Sequence, residues 1–234
     1  MTAKIRNALT SLLLAAITAG CASNVTLPPP TIPVPLMEKI PITVGLRMPK
    51  NFYSFVHQEE TYGRDEWSID LGNSNAAFFT QLFGFMFNDV KLLKVADDPA
   101  LMNIDALVEP SIDAFEFSTP SQSRADAFAV WVRYRIKVFD RDGNQVANWP
   151  VSAYGKSSTE GINDSESLQR AAVLAMRDAA ALMIMKLDAE TGISALAARE
   201  SPAVMPAVAP VTTDDESDTG IQTTAMEDEP DDAS

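Results

Sequence analysis

Residues 127–139 constrain the fold more than any other stretch of the chain, because apolar and outward-type side chains alternate there without a break. Phe128, Val130, Val132, Tyr134, Ile136 and Val138 fall on one side of an extended strand, and Ala129, Trp131, Arg133, Arg135 and Lys137 fall on the other. Successive strand residues point to opposite faces, so this period of two describes a sheet with one buried face. The turn formers Asp140-Arg141-Asp142-Gly143-Asn144 follow, and residues 145–156 return as a second strand, completing a hairpin.

The remaining elements are read around that hairpin. Ile42, Val44, Leu46 and Met48 alternate with Thr43, Gly45 and Arg47 between Pro41 and Pro49, which suits a strand because proline is tolerated at strand ends. Residues 50–73 are polar and turn-rich, with Phe52, Tyr53, Phe55, Tyr62 and Trp67 scattered through them. Asn73 or Ser74 can cap a helix running to about Val90, with Phe79, Leu82, Phe83, Met86 and Val90 among its apolar positions. Phe78, Phe85 and Phe87 carry that apolar surface around the helix, which implies a wide core or, alternatively, a protein interface. Strands are expected near residues 91–95 and 104–117, the second bent or bulged at Pro110.

A long helix closes the domain. Asn163 or Asp164 caps it, with Glu166 three residues after Asn163 as in a capping box. Its stripe of Leu168, Ala172, Ala175, Ala179 and Leu182 is small enough to lie close to a sheet, and Gly192 supplies a C-terminal stop. The expected class is α+β: a two-layer sandwich with a mainly antiparallel sheet of four to five strands and two helices on one face.

The two ends have a different character from this domain, which is expected to span residues 40–200. Lys4 and Arg6 precede an apolar run from Ala8 to Ile17, and small residues then lead to Cys21, the only cysteine in the chain. This order is that of a secretory signal peptide over residues 1–20, too short in its apolar part to span a bilayer. Thr18-Ala19-Gly20-Cys21 resembles the lipobox of bacterial lipoproteins, with Thr18 where leucine is usual. The resemblance implies cleavage before Cys21, a diacylglyceryl group on its sulfur and an acyl chain on the new N-terminus. Such a set of chains gives stable membrane attachment. Ala22 rather than aspartate after the cysteine implies outer-membrane sorting, with the domain facing the periplasm.

In the segment 21–39, the eighteen residues after the lipidated Cys21 hold Pro28, Pro29, Pro30, Pro33 and Pro35 and are expected to act as an extended tether. At about 3.1 Å per residue such a spacer would reach about 55 Å. Residues 201–234 are acidic, lack Lys and Arg, and are expected to be a disordered tail. Loss of Lys4 and Arg6 takes the net charge from −14 to −16, and nine acidic tail residues account for more than half of it. The domain itself stays acidic, so nucleic acid is not an expected partner.

Motifs for chemistry are sparse, and the expectation is a protein that is not an enzyme and carries no cofactor. His57 is the only histidine and lies in the polar stretch, which leaves no Ser-His-Asp or Cys-His arrangement and no zinc ligand set. Asp140, Asp142 and Asn144 begin like a calcium loop, but Gly143 stands fourth and Val151 stands twelfth, so a hairpin turn explains them better. Glu59, Glu60, Asp65 and Glu66 could pair as carboxylates for glycoside hydrolysis, yet clustered acids in a loop are usually only solvated.

The candidate binding face is Trp131, Arg133, Arg135 and Lys137. Three cations and an indole on one strand can receive an anionic lipid, a glycan or an acidic protein segment; they can also be an ordinary solvated face. With an anchor, a spacer and a sandwich in this order, the chain resembles the small envelope-assembly lipoproteins of diderm bacteria. These include the lipopolysaccharide-assembly, peptidoglycan-synthase activator and YajG-like lipoproteins. The resemblance implies a lipid-anchored accessory protein that binds an envelope assembly or transport machine. The alternative is a direct binder of an anionic envelope glycolipid or glycan.

Overall fold

The structure is a computed structural model that describes residues 22–61, 65–189 and 191–200. The signal segment, Cys21, Tyr62 and the acidic tail lie outside the described residues. The element order is β1 (Ala22–Thr26), β2 (Ile40–Arg47), α1 (Lys50–Tyr53), β3 (Val56–Glu60), β4 (Glu66–Asp70), α2 (Gly72–Met86), β5 (Phe87–Leu93), a 3₁₀ turn at Pro99–Leu101 and β6 (Ala106–Ser118). There follow α3 (Pro120–Ser123), β7 (Ala127–Asp140), β8 (Gln145–Ser158), α4 (Asp164–Ala189) and α5 (Thr191–Glu200).

The fold is α+β, as the sequence indicates. Five strands form one sheet in the order β5-β2-β6-β7-β8. The long ladders β6–β7 and β7–β8 are antiparallel, while β2 runs parallel to both β5 and β6. Alternation along β7 works as expected: Phe128, Val130, Val132, Tyr134, Ile136 and Val138 are all buried. The turn after it is built by Asp140, whose Oδ1 accepts from the Asp142 and Asn144 amides at 3.0 and 2.8 Å. Gly143 takes the left-handed conformation there, with φ of +81°.

The helices α2 and α4 cover the inner face. Phe78 and Phe79 of α2 pack on Tyr134, with ring centroids 5.8 and 5.2 Å away. The Tyr134 hydroxyl donates to Asn75 Oδ1 at 2.7 Å in a site with no solvent access. Burial holds that hydroxyl neutral, well above the ordinary tyrosine range. The small-residue surface of α4 is wider than the predicted stripe: Ala171, Met176, Ala180 and Met183 are buried beside Leu168, Ala172, Ala175 and Ala179, and Leu182 is only half-buried. The sheet meets this surface at Gly155, where an added Cβ would stand 2.0 Å from the Ala171 carbonyl oxygen.

Three features differ from the sequence reading. The helix α2 stops at Met86, and Phe87 turns extended because residues 87–93 pair with β2. Val90, assigned to the helix stripe, is therefore a strand residue opposite Val44. Gly192 does not end a helix; it lies within α5. The bulge in β6 falls between Ile112 and Ala114 rather than at Pro110. Pro110 is tolerated because the β2 ladder has already ended at Val108.

The largest addition is a second sheet, β1-β4-β3, built from the turn-rich stretch and the start of the expected tether. Trp67 and Ile69 of β4 point inward, and Trp67 meets Phe117 and Phe128 edge-on at 5.6 and 5.7 Å. The proline-rich segment is accordingly not a free spacer over residues 22–32. Val25, Leu27 and Ile32 are buried, which stabilises the docked segment by about 1.5–3 kcal/mol per side chain. Ser74 and Gln81 of α2 bond the Pro28 carbonyl and the Ile32 amide, while Gln169 and Arg177 of α4 bond the Thr26 and Thr31 carbonyls. Cross-strand pairs and helix contacts thus replace the solvated extended chain that proline content suggests.

Candidate binding face

The outer face of β7 carries all four candidate residues, and the neighbouring strands decide their surroundings. Register sets Glu116 opposite Trp131, Ser111 opposite Arg135 and Glu109 opposite Lys137 on the β6 side. On the β8 side, Tyr154 stands opposite Trp131, Ser152 opposite Arg133 and Asn148 opposite Lys137. The indole and phenol rings lie 5.1 Å apart at 48°, and both remain 43–45% exposed. They form a solvent-open aromatic pair on the outer face of the sheet.

The cations do not form a free basic stripe. The β6 bulge aims Asp113 at β7, where its carboxylate lies 2.6 Å from Arg135 and 3.9 Å from Arg133. Arg135 also donates to Asn148 Oδ1 at 3.4 Å. Glu109, which faces Lys137, is held by Arg47 at 2.6 Å. Exposed pairs of this kind contribute little stability and much orientation. The two arginines are therefore charge-paired beside an aromatic centre. The acidic side of it was not legible from β7 alone, because Asp113, Glu109 and Glu116 arrive by strand register.

Beside the aromatic pair is a shallow cleft of about 420 Å³ lined by Ala114, Glu116, Trp131, Arg133, Tyr154 and Asp178. Asp178 comes from α4 and accepts the Tyr154 backbone amide at 3.0 Å, so the helix closes the open edge of β8. Lys186 bonds the Pro150 carbonyl in the same way at 2.8 Å. Tyr154 and Asp178 were missed in the sequence. Alternation along β8 marks Tyr154 as outward-facing, but only pairing with β7 sets it beside Trp131.

The other polar groups weighed in the sequence lie elsewhere. His57 is not in a loop: it sits on β3, its ring 5.1 Å from Phe115, with Nε2 2.9 Å from Glu59. Glu60 and Glu66 face each other across the β3–β4 ladder and border an acidic depression with Asn24 and Ser68. No group of three or more His, Cys, Asp or Glu among the described residues could hold a metal ion. Among the same residues, no helix is long and apolar enough to cross a membrane.

No family model matches the chain, and no curated protein matches it. Solved structures with a related course of the chain include a hypothetical protein from Chlamydia trachomatis, 13% identical, covering 66% of this chain and 99% of its own, with a TM-score of 0.39. A minor lipoprotein from Acinetobacter baumannii is 13% identical over 66% of this chain and 94% of its own, with a TM-score of 0.35. A lipoprotein from Neisseria meningitidis is 10% identical over 64% and 96%, with a TM-score of 0.29. Two of these three are lipoproteins.

Proposed function

We propose that this chain is a lipid-anchored, non-enzymatic accessory protein of the bacterial envelope. Acyl chains on Cys21 hold it to the outer membrane, and the Trp131–Tyr154 face binds a protein component of an envelope assembly or transport machine. The observation that carries the second half is the exposed aromatic pair set among opposed charges. Protein interfaces concentrate their energy in aromatic and arginine side chains at the centre of a patch, with paired charges around them. A bare anionic surface would meet Asp113, Glu109 and Glu116 along with the arginines, which makes anionic lipid a poorer fit.

A second reading is favoured by one feature. The cleft beside Trp131 presents an aromatic wall, the Arg133 guanidinium and two carboxylates, a combination that suits a sugar ring of an envelope glycan or glycolipid, stacked on the indole with its hydroxyls donating to the carboxylates.

Two experiments test the proposal. Cys21→Ser should abolish incorporation of labelled fatty acid and signal-peptide removal by the lipoprotein pathway; normal labelling refutes the anchor. A photo-crosslinking residue at Trp131 should yield a defined protein adduct in intact cells that the same residue at Asp142 does not. That adduct should fall at least several-fold in a Tyr154→Ala, Arg135→Glu background. Adduct formation indifferent to those changes refutes the face, and adducts to glycolipid alone favour the second reading.

A further inference from the structure

The docked N-terminal segment has a consequence for how the domain stands on a membrane. The sequence suggests eighteen residues of spacer, but β1 begins at Ala22, directly after the anchoring cysteine, and is hydrogen-bonded to β4 from its first residue. One peptide link, with Cα atoms about 3.8 Å apart, then joins the lipidated residue to the folded sheet. The strap cannot easily peel away to restore a spacer, because Val25, Leu27 and Ile32 are buried and both helices bond its backbone.

We infer that the domain lies directly against the lipid surface, with one particular end in the headgroup layer. That end is defined by register. Ala22 pairs with Glu66, and Glu66 pairs with Glu60, so these three positions form one edge row of the small sheet. Trp67, the next residue of β4 and the partner of Ser23, touches Phe117 near the end of β6 and Phe128 near the start of β7. The Pro120–Asp126 connection between those strands therefore belongs to the same end. Thr159, just past the end of β8, joins it by donating its backbone amide to the Asp126 carbonyl at 3.0 Å. The Asp140–Asn144 turn is at the opposite end of β7. Fourteen strand residues at about 3.3 Å each separate the two ends by about 45 Å.

This orientation rests on the lipid anchor proposed above, and it fits a zwitterionic surface better than an anionic one. Glu60, Asp65, Glu66, Asp126 and Glu160 crowd the near end, all exposed, and outnumber the exposed Arg124 there; the excess of negative charge repels anionic headgroups at close range. The partner-binding face consequently stands upright beside the membrane rather than facing it, with Trp131 five residues into β7.

The test uses the full lipidated chain, in which Cys21 is blocked, so that an introduced thiol is the only reactive one. Glu60→Cys and Asp142→Cys proteins, each labelled with a fluorophore, are reconstituted into phosphatidylcholine vesicles containing a headgroup-nitroxide lipid. The label at position 60 should be quenched several-fold more than the label at position 142. A flexible twelve-residue Gly/Ser insertion between Cys21 and Ala22 should erase most of that difference. Equal quenching of the two labels on vesicle-bound protein, or a difference that the insertion leaves intact, overturns the orientation while leaving the anchor standing. Failure of the unmodified full chain to carry fatty acid or to associate with vesicles overturns the anchor reading, and this inference with it.

Discussion

Gly155→Ala probes the contact on which the two layers depend. The new methyl carbon would stand 2.0 Å from the Ala171 carbonyl oxygen, 2.4 Å from the Ala175 amide nitrogen and 3.0 Å from the Leu174 carbonyl carbon. All three are backbone atoms, so no rotamer change relieves the overlap, and real Cβ contacts essentially never fall below 3.0 Å. The α4 helix must retreat by about an ångström, loosening the contacts of Ala171, Ala172, Ala175 and Met176 with β7 and β8. Overpacking typically costs about 1–3 kcal/mol, and a clash with helix backbone belongs at the top of that range. A cost of about 3 kcal/mol corresponds to a fall in Tm of roughly 6–12 °C for a domain of this size. Urea unfolding followed by far-UV circular dichroism measures it directly. Gly84→Ala is the control, since nothing lies within 4 Å of its added carbon. That helix substitution should be neutral or stabilise by up to about 1 kcal/mol. If Gly155→Ala unfolds within about 0.5 kcal/mol of the parent, the close helix–sheet approach is wrong.

Tyr134→Phe should cost about 1–3 kcal/mol at neutral pH, because the buried Asn75 Oδ1 loses the hydroxyl that donates to it. The folded pKa of Tyr134 is raised above its unfolded value near 10. Its contribution is therefore whole below about pH 10 and is lost as pH rises further, so the parent should lose up to about 1.4 kcal/mol more per pH unit than Tyr134→Phe. A parallel pH dependence of the two proteins in alkaline urea titrations refutes this. Ile136→Ala should destabilise by about 2–5 kcal/mol, since Ile136 is fully buried, whereas Arg133→Glu should change stability by less than about 1 kcal/mol. Similar losses for both would mean that the strand faces are misassigned. Deletion of residues 203–234 removes none of the buried core residues among those described. The thermal midpoint should move by no more than a few degrees, and a larger drop in differential scanning calorimetry would show that the tail packs.

Local pattern alone determined a good part of this protein. The alternation at residues 128–138 set the strand, its buried face and the outward direction of Trp131, Arg133, Arg135 and Lys137, because side-chain direction in a strand depends only on parity. The Asp140–Asn144 turn and the α4 helix were readable for the same reason: turn chemistry and capping are interactions between residues close in the chain. The N-terminal signal and the expectation of lipid at Cys21 rest on sequence alone. What local pattern could not hold was anything set by pairing across the chain. Strand β3, Val-His-Gln-Glu-Glu, has no apolar rhythm and exists because β4 offers it a ladder. The expected tether became β1 because Val25, Leu27 and Ile32 found burial on two helices. The character of the candidate face was settled in the same way. Parity could put three cations outside, but only the β6 bulge could bring Asp113 between two of them, and only the β8 register could lay Tyr154 against Trp131. Contacts between residues twenty or more apart are chosen by the packing of the whole sheet, so the face's charge balance and its aromatic centre belong to the tertiary structure.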